Sequence, residues 1–173
     1  MKVRLGPDHY NTLLCMNGLA STYTHAGRFD KAIPLNELTL EKRRAKLGPD
    51  HPDTLQSASA LGWAYREAGK LDLALPLLQD TMEKQKTKLG VDHPDTLQST
   101  NYLAAAYMDS GKLDLAVPLF QDTLEKRKAK LGLEHPDTLT SMSNLAVAYS
   151  KSGKLDLAIE ILLETLDLVR QRG

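Results

Sequence analysis

The chain has a single cysteine, Cys15, in 173 residues. No internal disulfide can form, and a reducing, cytoplasmic setting is the simpler expectation. Neither sign of charge is in surplus, since 22 Lys and Arg balance 22 Asp and Glu. Nucleic-acid and membrane-surface binders draw on a basic excess, so neither partner class is expected. Aromatic residues make up only 5% of the chain, with one Trp and two Phe. That is thin for an enzyme core, but it suits helices packed through small side chains. No run approaches the ~20 apolar residues that cross a bilayer. Met1-Lys2-Val3-Arg4 is followed by no apolar stretch of the secretory kind. Period-two alternation is missing too, so strands are not expected.

What the chain does have is a repeat. The words Leu-Gly-Pro-Asp-His-Pro-Asp-Thr-Leu at Leu47 return, little changed, at Leu5, Leu89 and Leu131, a step of 42 residues each time. Four copies follow: Leu5–Lys46, Leu47–Lys88, Leu89–Lys130 and Leu131–Arg172. A fixed period of this size signals stacked supersecondary units. Residues 1–173 are therefore read as a single repeat domain. The columns that never vary include His9/His51/His93/His135, Leu19/Leu61/Leu103/Leu145, Tyr23/Tyr65/Tyr107/Tyr149, Gly27/Gly69/Gly111/Gly153 and Ala32/Ala74/Ala116/Ala158.

The second copy reads as two helices. Asp50 or His51 can cap the first, with Pro52 at its opening position and Asp53 where the dipole favours an acid. Leu55, Ala58, Leu61, Ala64 and Tyr65 recur at helical spacing, and Gly69 ends the run. Asp72 can cap the second helix, Pro76 falls near its first turn, and Lys84 to Lys88 supply cations at its end. Ala64 and Ala74 allow close approach of the two helices. Tyr65 is expected to pack across the pair with its hydroxyl at the rim. One pair cannot bury its own apolar faces, so neighbouring copies must stack.

Leu61-Gly62-x-x-Tyr65, Gly69, Ala74 and Leu78 resemble the tetratricopeptide repeat, in its longer kinesin light chain-like form. The usual repeat is roughly 34 residues; here a lengthened second helix and the LGPDHPDT loop supply the excess. The resemblance implies an all-α, right-handed superhelical solenoid of four antiparallel helix pairs. It also implies a protein-interaction scaffold that takes a peptide segment or partner protein along its concave, first-helix face.

The groups that invite chemistry point elsewhere when taken singly. The four repeated histidines lie one repeat apart rather than converging, so they read as helix-start residues and not as metal ligands. The Gly-containing loop lacks the Gly-Lys-Ser/Thr of a phosphate loop. The basic runs Lys42-Arg43-Arg44 and Lys126-Arg127-Lys128 sit beside acids at helix ends and read as a solvated face. Cys15, whose counterparts are Ser57, Ser99 and Ser141, reads as a small half-buried residue. No nucleophile–base set or carboxylate pair supports an enzyme, and no cofactor or metal site is expected.

Carried over by alignment, the inward positions vary between copies while the packing columns repeat. The candidate peptide-binding residues among them are Asn17, Ser21 and His25; Ser59, Trp63 and Arg66; Asn101 and Met108; and Asn144 and Lys151. Trp63 is the sole Trp and has Arg66 one turn on, and both are favoured anchor types. Asn17, Asn101 and Asn144 fall where kinesin light chain-like repeats carry Asn, whose amide can pair with a peptide backbone. No Lys or Arg occupies the places that hold a C-terminal carboxylate in chaperone-tail binders, so that clamp is not expected. The alternative reading is self-assembly. Lys2-Val3-Arg4 and Gly173 look like parts of further repeats, and Leu168 and Val169 replace Lys126 and Arg127. Uncapped ends would let copies stack into oligomers.

Overall fold

The computed structural model describes residue 6 and residues 8–170. Lys2-Val3-Arg4, Leu5 and Gly173 lie outside the described residues. All regular structure among the described residues is helical: α1 (Tyr10–His25), α2 (Phe29–Leu47), α3 (Pro52–Glu67), α4 (Leu71–Leu89), α5 (Pro94–Asp109), α6 (Leu113–Leu131), α7 (Pro136–Lys151) and α8 (Leu155–Arg170). The chain divides into two compact units, Met1–Val91 and Asp92–Gly173. Each holds two helix pairs.

Helix starts follow the sequence closely. His51 is extended at φ −68° and ψ 139°, and its Nδ1 accepts from the Asp53 N–H at 3.2 Å. His9, His93 and His135 cap α1, α5 and α7 in the same way. These imidazoles therefore satisfy one of the orphan donors that every helix N-terminus leaves. The end of α3 needs a left-handed residue, and Gly69 supplies it at φ +73°. The Lys70 N–H then reaches back to the Tyr65 carbonyl at 2.9 Å. This six-to-one closure turns the chain toward α4.

Two features of the even helices differ from expectation. Asp72 does not cap α4: Lys70 occupies that place without a side-chain bond, and Asp72 lies in the first turn. Pro76 is the sixth residue of α4, inside the helix, and Pro34 and Pro118 sit likewise in α2 and α6. Each removes one intrahelical N–H, which the surrounding packing must offset.

Packing within a unit is pairwise and then stacked. In the first unit α1 packs on α2, α2 on α3, and α3 on α4; in the second, α5 packs on α6, α6 on α7, and α7 on α8. The odd helices of a unit also pack backbone to backbone, α1 with α3 and α5 with α7, whereas α2 and α4 do not; α6 and α8 meet only through long side chains, Lys128 Nζ reaching Glu164 Oε1 at 3.6 Å. The odd helices therefore form the inner side of each unit. The first core gathers Ile33, Leu40, Ala58, Leu61 and Ala64. The second gathers Val117, Phe120, Leu124, Met142, Leu145 and Tyr149, among others. Fully burying a side chain the size of Leu78 or Phe120 contributes about 2 kcal/mol.

Side chains expected at the surface also join one pair to the next. Arg43 is 1% exposed and Arg127 3%, so the basic runs are not uniformly solvated. Arg43 Nη1 donates to the Asp53 carbonyl at 2.7 Å, Gln56 Oε1 at 3.3 Å and Ser57 Oγ at 3.0 Å. Arg127 Nη1 donates to the Asp137 carbonyl at 3.1 Å and Ser141 Oγ at 2.8 Å, and its Nη2 donates to Gln98 Oε1 at 2.9 Å. Burial lowers the Arg127 pKa, and Asp137 works against that shift. The long, always-charged fork crosses from α2 to α3, and from α6 to α7, to reach acceptors that shorter residues could not. Tyr65 also departs from expectation. Its hydroxyl donates to Glu37 Oε1 of the preceding pair at 2.6 Å rather than closing its own pair. In the second unit Gln121 Nε2 donates to Tyr149 Oη at 2.8 Å. Cys15 is exposed, not half-buried, while Ser57, Ser99 and Ser141 are buried.

Candidate functional site

The inner side of the first unit is built from α1 and α3. Residues free of the hairpin packing on these helices face one another there. His25, in the last turn of α1, lies edge-on to Trp63 of α3, with ring centroids 4.6 Å apart and planes at 62°. Such an edge-to-face pair is worth about 1 kcal/mol beyond its area. His25 is positioned from its own helix, with Nδ1 2.9 Å from the Ser21 carbonyl, so the Nδ1–H tautomer donates there. Trp63 Nε1 donates to Glu67 Oε1 at 3.2 Å, and Arg66 Nη1 donates to the same oxygen at 2.7 Å. Trp63 and Arg66 are both half-buried.

The structure thus brings His25, Trp63 and Arg66 into one cluster and ties it through Glu67. Sequence reasoning gave Glu67 no role. Its i+4 spacing from Trp63 is the signal that would have found it. The remaining inner residues of this unit behave differently from one another. Asn17 is half-buried, and its Oδ1 is enclosed with no hydrogen-bond partner. A buried amide oxygen without a partner costs about 1–3 kcal/mol. Ser21 contributes its carbonyl to His25. Ser59 is buried, which leaves it little surface to offer.

In the second unit the inner side comes from α5 and α7. Asn144 Nδ2 donates to Asn101 Oδ1 at 3.2 Å, joining the two helices through their amides. One bond leaves each amide further hydrogen-bonding capacity. Met108 is half-buried against the core of this unit, so part of its surface is spent on packing. Lys151 is exposed at the end of α7. No group of His, Cys, Asp and Glu able to hold a metal ion occurs among the described residues. No helix among them is long and apolar enough to cross a membrane.

Tandem helical hairpins whose inner helices carry unlike, partly accessible side chains define a repeat scaffold. The chain belongs to the tetratricopeptide repeat family, whose profile matches residues 16–87 and 95–171. A second tetratricopeptide repeat profile matches residues 59–129. Among solved structures, the chain is similar to the kinesin light chain nearly identical TPR-like repeats of Podosopora anserina. A single-substitution form of these is 31% identical over 98% of this chain and 81% of that one, with a TM-score of 0.76. The likeness fixes the long-repeat, kinesin light chain-like character. BtubC (BKLC) from P. vanneervenii is 18% identical, covers 99% of this chain and 67% of its own, and has a TM-score of 0.79. MamA from Desulfovibrio magneticus RS-1 is 15% identical over 95% of this chain and 79% of its own, with a TM-score of 0.64. These last two share the fold. No curated protein matches.

Proposed function

We propose that the chain is an interaction scaffold that holds a peptide segment or partner protein against the inner side of its repeats, with Trp63 as principal anchor. The observation that carries this reading is the His25–Trp63–Arg66 cluster on α1 and α3. It offers an aromatic face beside a guanidinium held by Glu67, on helices whose other faces are consumed by packing. Hot spots at interfaces favour Trp and Arg in such settings. Asn17 stands on α1 of the same unit, and in the second unit Asn144, bonded to the buried Asn101, adds an amide. Met108 and Lys151 complete the proposed contact set, one apolar and one cationic.

The test is selection of peptides from a randomised displayed library on the wild-type chain, followed by titration of the winners against Trp63→Ala. The substitution is expected to weaken them by about 30-fold or more, the scale of an interface hot spot. Thermal unfolding should be nearly unaffected, because Trp63 is half-buried rather than sealed in the core. Unchanged affinities for Trp63→Ala would remove the anchor.

A further inference from the structure

We infer that the groove between the start of α2 and the α3–α4 turn is a second docking surface, and that it takes a basic segment of a partner protein. The groove has a volume of about 530 Å³ and lies wholly within the first unit, where its two helix pairs join. Its long wall is α2, so it lies apart from the inner side, and the inference stands independently of the Trp63 anchor. The floor is apolar. Phe29 and Ala68 are half-buried against the first core, Ile33 is 7% exposed, and Pro34 is exposed. Two carboxylates flank this floor. Asp30 and Glu37 stand at i and i+7, both exposed and both lining the groove. That spacing puts them on one face of α2, two turns and roughly 10 Å apart.

Charge complementarity selects the occupant. Among the described residues no cation pairs with Asp30 or Glu37. Arg28 and Lys31, which bracket Asp30 in sequence, lie over the Tyr23 ring instead, 5.3 Å and 5.8 Å from its centroid. Glu37 Oε1 accepts from the Tyr65 hydroxyl at 2.6 Å, which holds the carboxylate at the groove and leaves it further acceptor capacity. Lys70 completes the lining, so two negative charges stand against one positive. The fold does not require this surplus. In the second unit the same columns hold Leu113 for Phe29, Gln121 for Glu37 and Ser152 for Ala68, and one acid, Asp114, balances one base, Lys154. Gln121 still bonds its tyrosine, so the hydroxyl there needs no charge. An Arg or Lys side chain is an apolar stem with a charged head, the same pairing that the groove presents. An extended segment of the pattern Arg-x-Leu-x-Arg puts its three named side chains on one face. Its cations start about 13 Å apart, and their flexible stems lean in to the two carboxylates while Leu meets the floor. The guanidinium fork can then pair each carboxylate through two parallel bonds.

The probe is the acetylated and amidated pentapeptide Arg-Ser-Leu-Ser-Arg, titrated into the isotope-labelled full chain and followed by amide chemical shifts. Saturating shifts are expected at residues 29–37 and 68–70. The counterpart Glu-Ser-Leu-Ser-Glu should produce none there. Glu37→Gln installs the side chain that the second unit already carries at this column, so the tyrosine bond is kept while the charge is lost. It should weaken the probe by about 10-fold, the scale of a lost charge-assisted bond. Lys70→Gln removes a like charge and should tighten the probe by about 2-fold or more. Lys70 is exposed, so this second variant tests the charge without disturbing the packing. Circular dichroism melting checks that both variants stay folded. Shifts confined to other surfaces, or a probe indifferent to Glu37→Gln in a folded variant, overturn the assignment. A probe weakened by Lys70→Gln, or an acidic peptide that binds the groove as well, reverses the sign of the ligand and overturns it too.

Discussion

Tyr65 shows how much one side chain's surroundings decide. Its phenol is pushed up to about 12 from an ordinary value near 10, first by burial and then by the hydrogen bond and negative charge of Glu37. The fold therefore favours the neutral phenol. The contribution is fully present below about pH 10 and drains away as pH rises toward about 12, because the unfolded chain ionises first. Denaturant midpoints measured across that window should fall in the wild type, and the fall should be shallower in Tyr65→Phe. At neutral pH the same variant should be slightly less stable, having lost a hydrogen bond to a carboxylate. An identical alkaline limb in both proteins would show that the Tyr65–Glu37 bond does not form in solution. The sequence marked Tyr65 as a repeated packing residue with a polar tip. It could not show that the tip reaches back to the preceding pair, since Glu37 is 28 residues away and exposed.

At the scale of the element, helix pairing depends on volumes that period alone does not rank. Gly62 stands on α3 where the other copies carry Ala20, Ala104 and Ala146. Adding a Cβ to Gly62 would place it 2.6 Å from Cγ and Cδ2 of Leu78 on α4. Leu78 is fully buried, so it has little room to give way. Gly62→Ala should therefore cost about 1–3 kcal/mol in overpacking, against a helix-propensity gain of roughly 1 kcal/mol. Net destabilisation of about 1 kcal/mol is expected by urea unfolding, and Leu78→Val in the same background should recover part of it. A stabilised Gly62→Ala would mean that α3 and α4 separate at little cost. By contrast, the starts and stops of the odd helices were legible. A His with Pro one residue on, an Asp in the first turn, and a Gly at the end are local devices that need no neighbour to act. The interior prolines and the uncapped start of α4 were misread because the even helices begin one or two residues earlier than Asp72, at a turn shaped by the Gly69 closure.

Across the whole molecule, stability is spread unevenly. Six residues of α6 are buried, including Val117, Phe120 and Leu124, against Ala158 alone in α8. Local opening follows the density of buried contacts. Amide hydrogen exchange at low protein concentration should therefore be fastest, among the described helices, in α8. Uniform protection across α6 and α8 in dilute solution would contradict this distribution.

The repeat, the eight helices, the caps of the odd helices and the family were all decided by the sequence alone, because each rests on local or periodic interactions written four times over. Tertiary structure decided which inner side chains meet, placing His25 against Trp63, joining Trp63 and Arg66 through Glu67, and spending part of Met108 on the core. It also decided that Arg43 and Arg127 are buried clips and that Leu166 is open where Leu124 is closed. A side chain's exposure depends on what stacks against it from another pair, and an isolated helical repeat carries the same letters whether or not that neighbour is present.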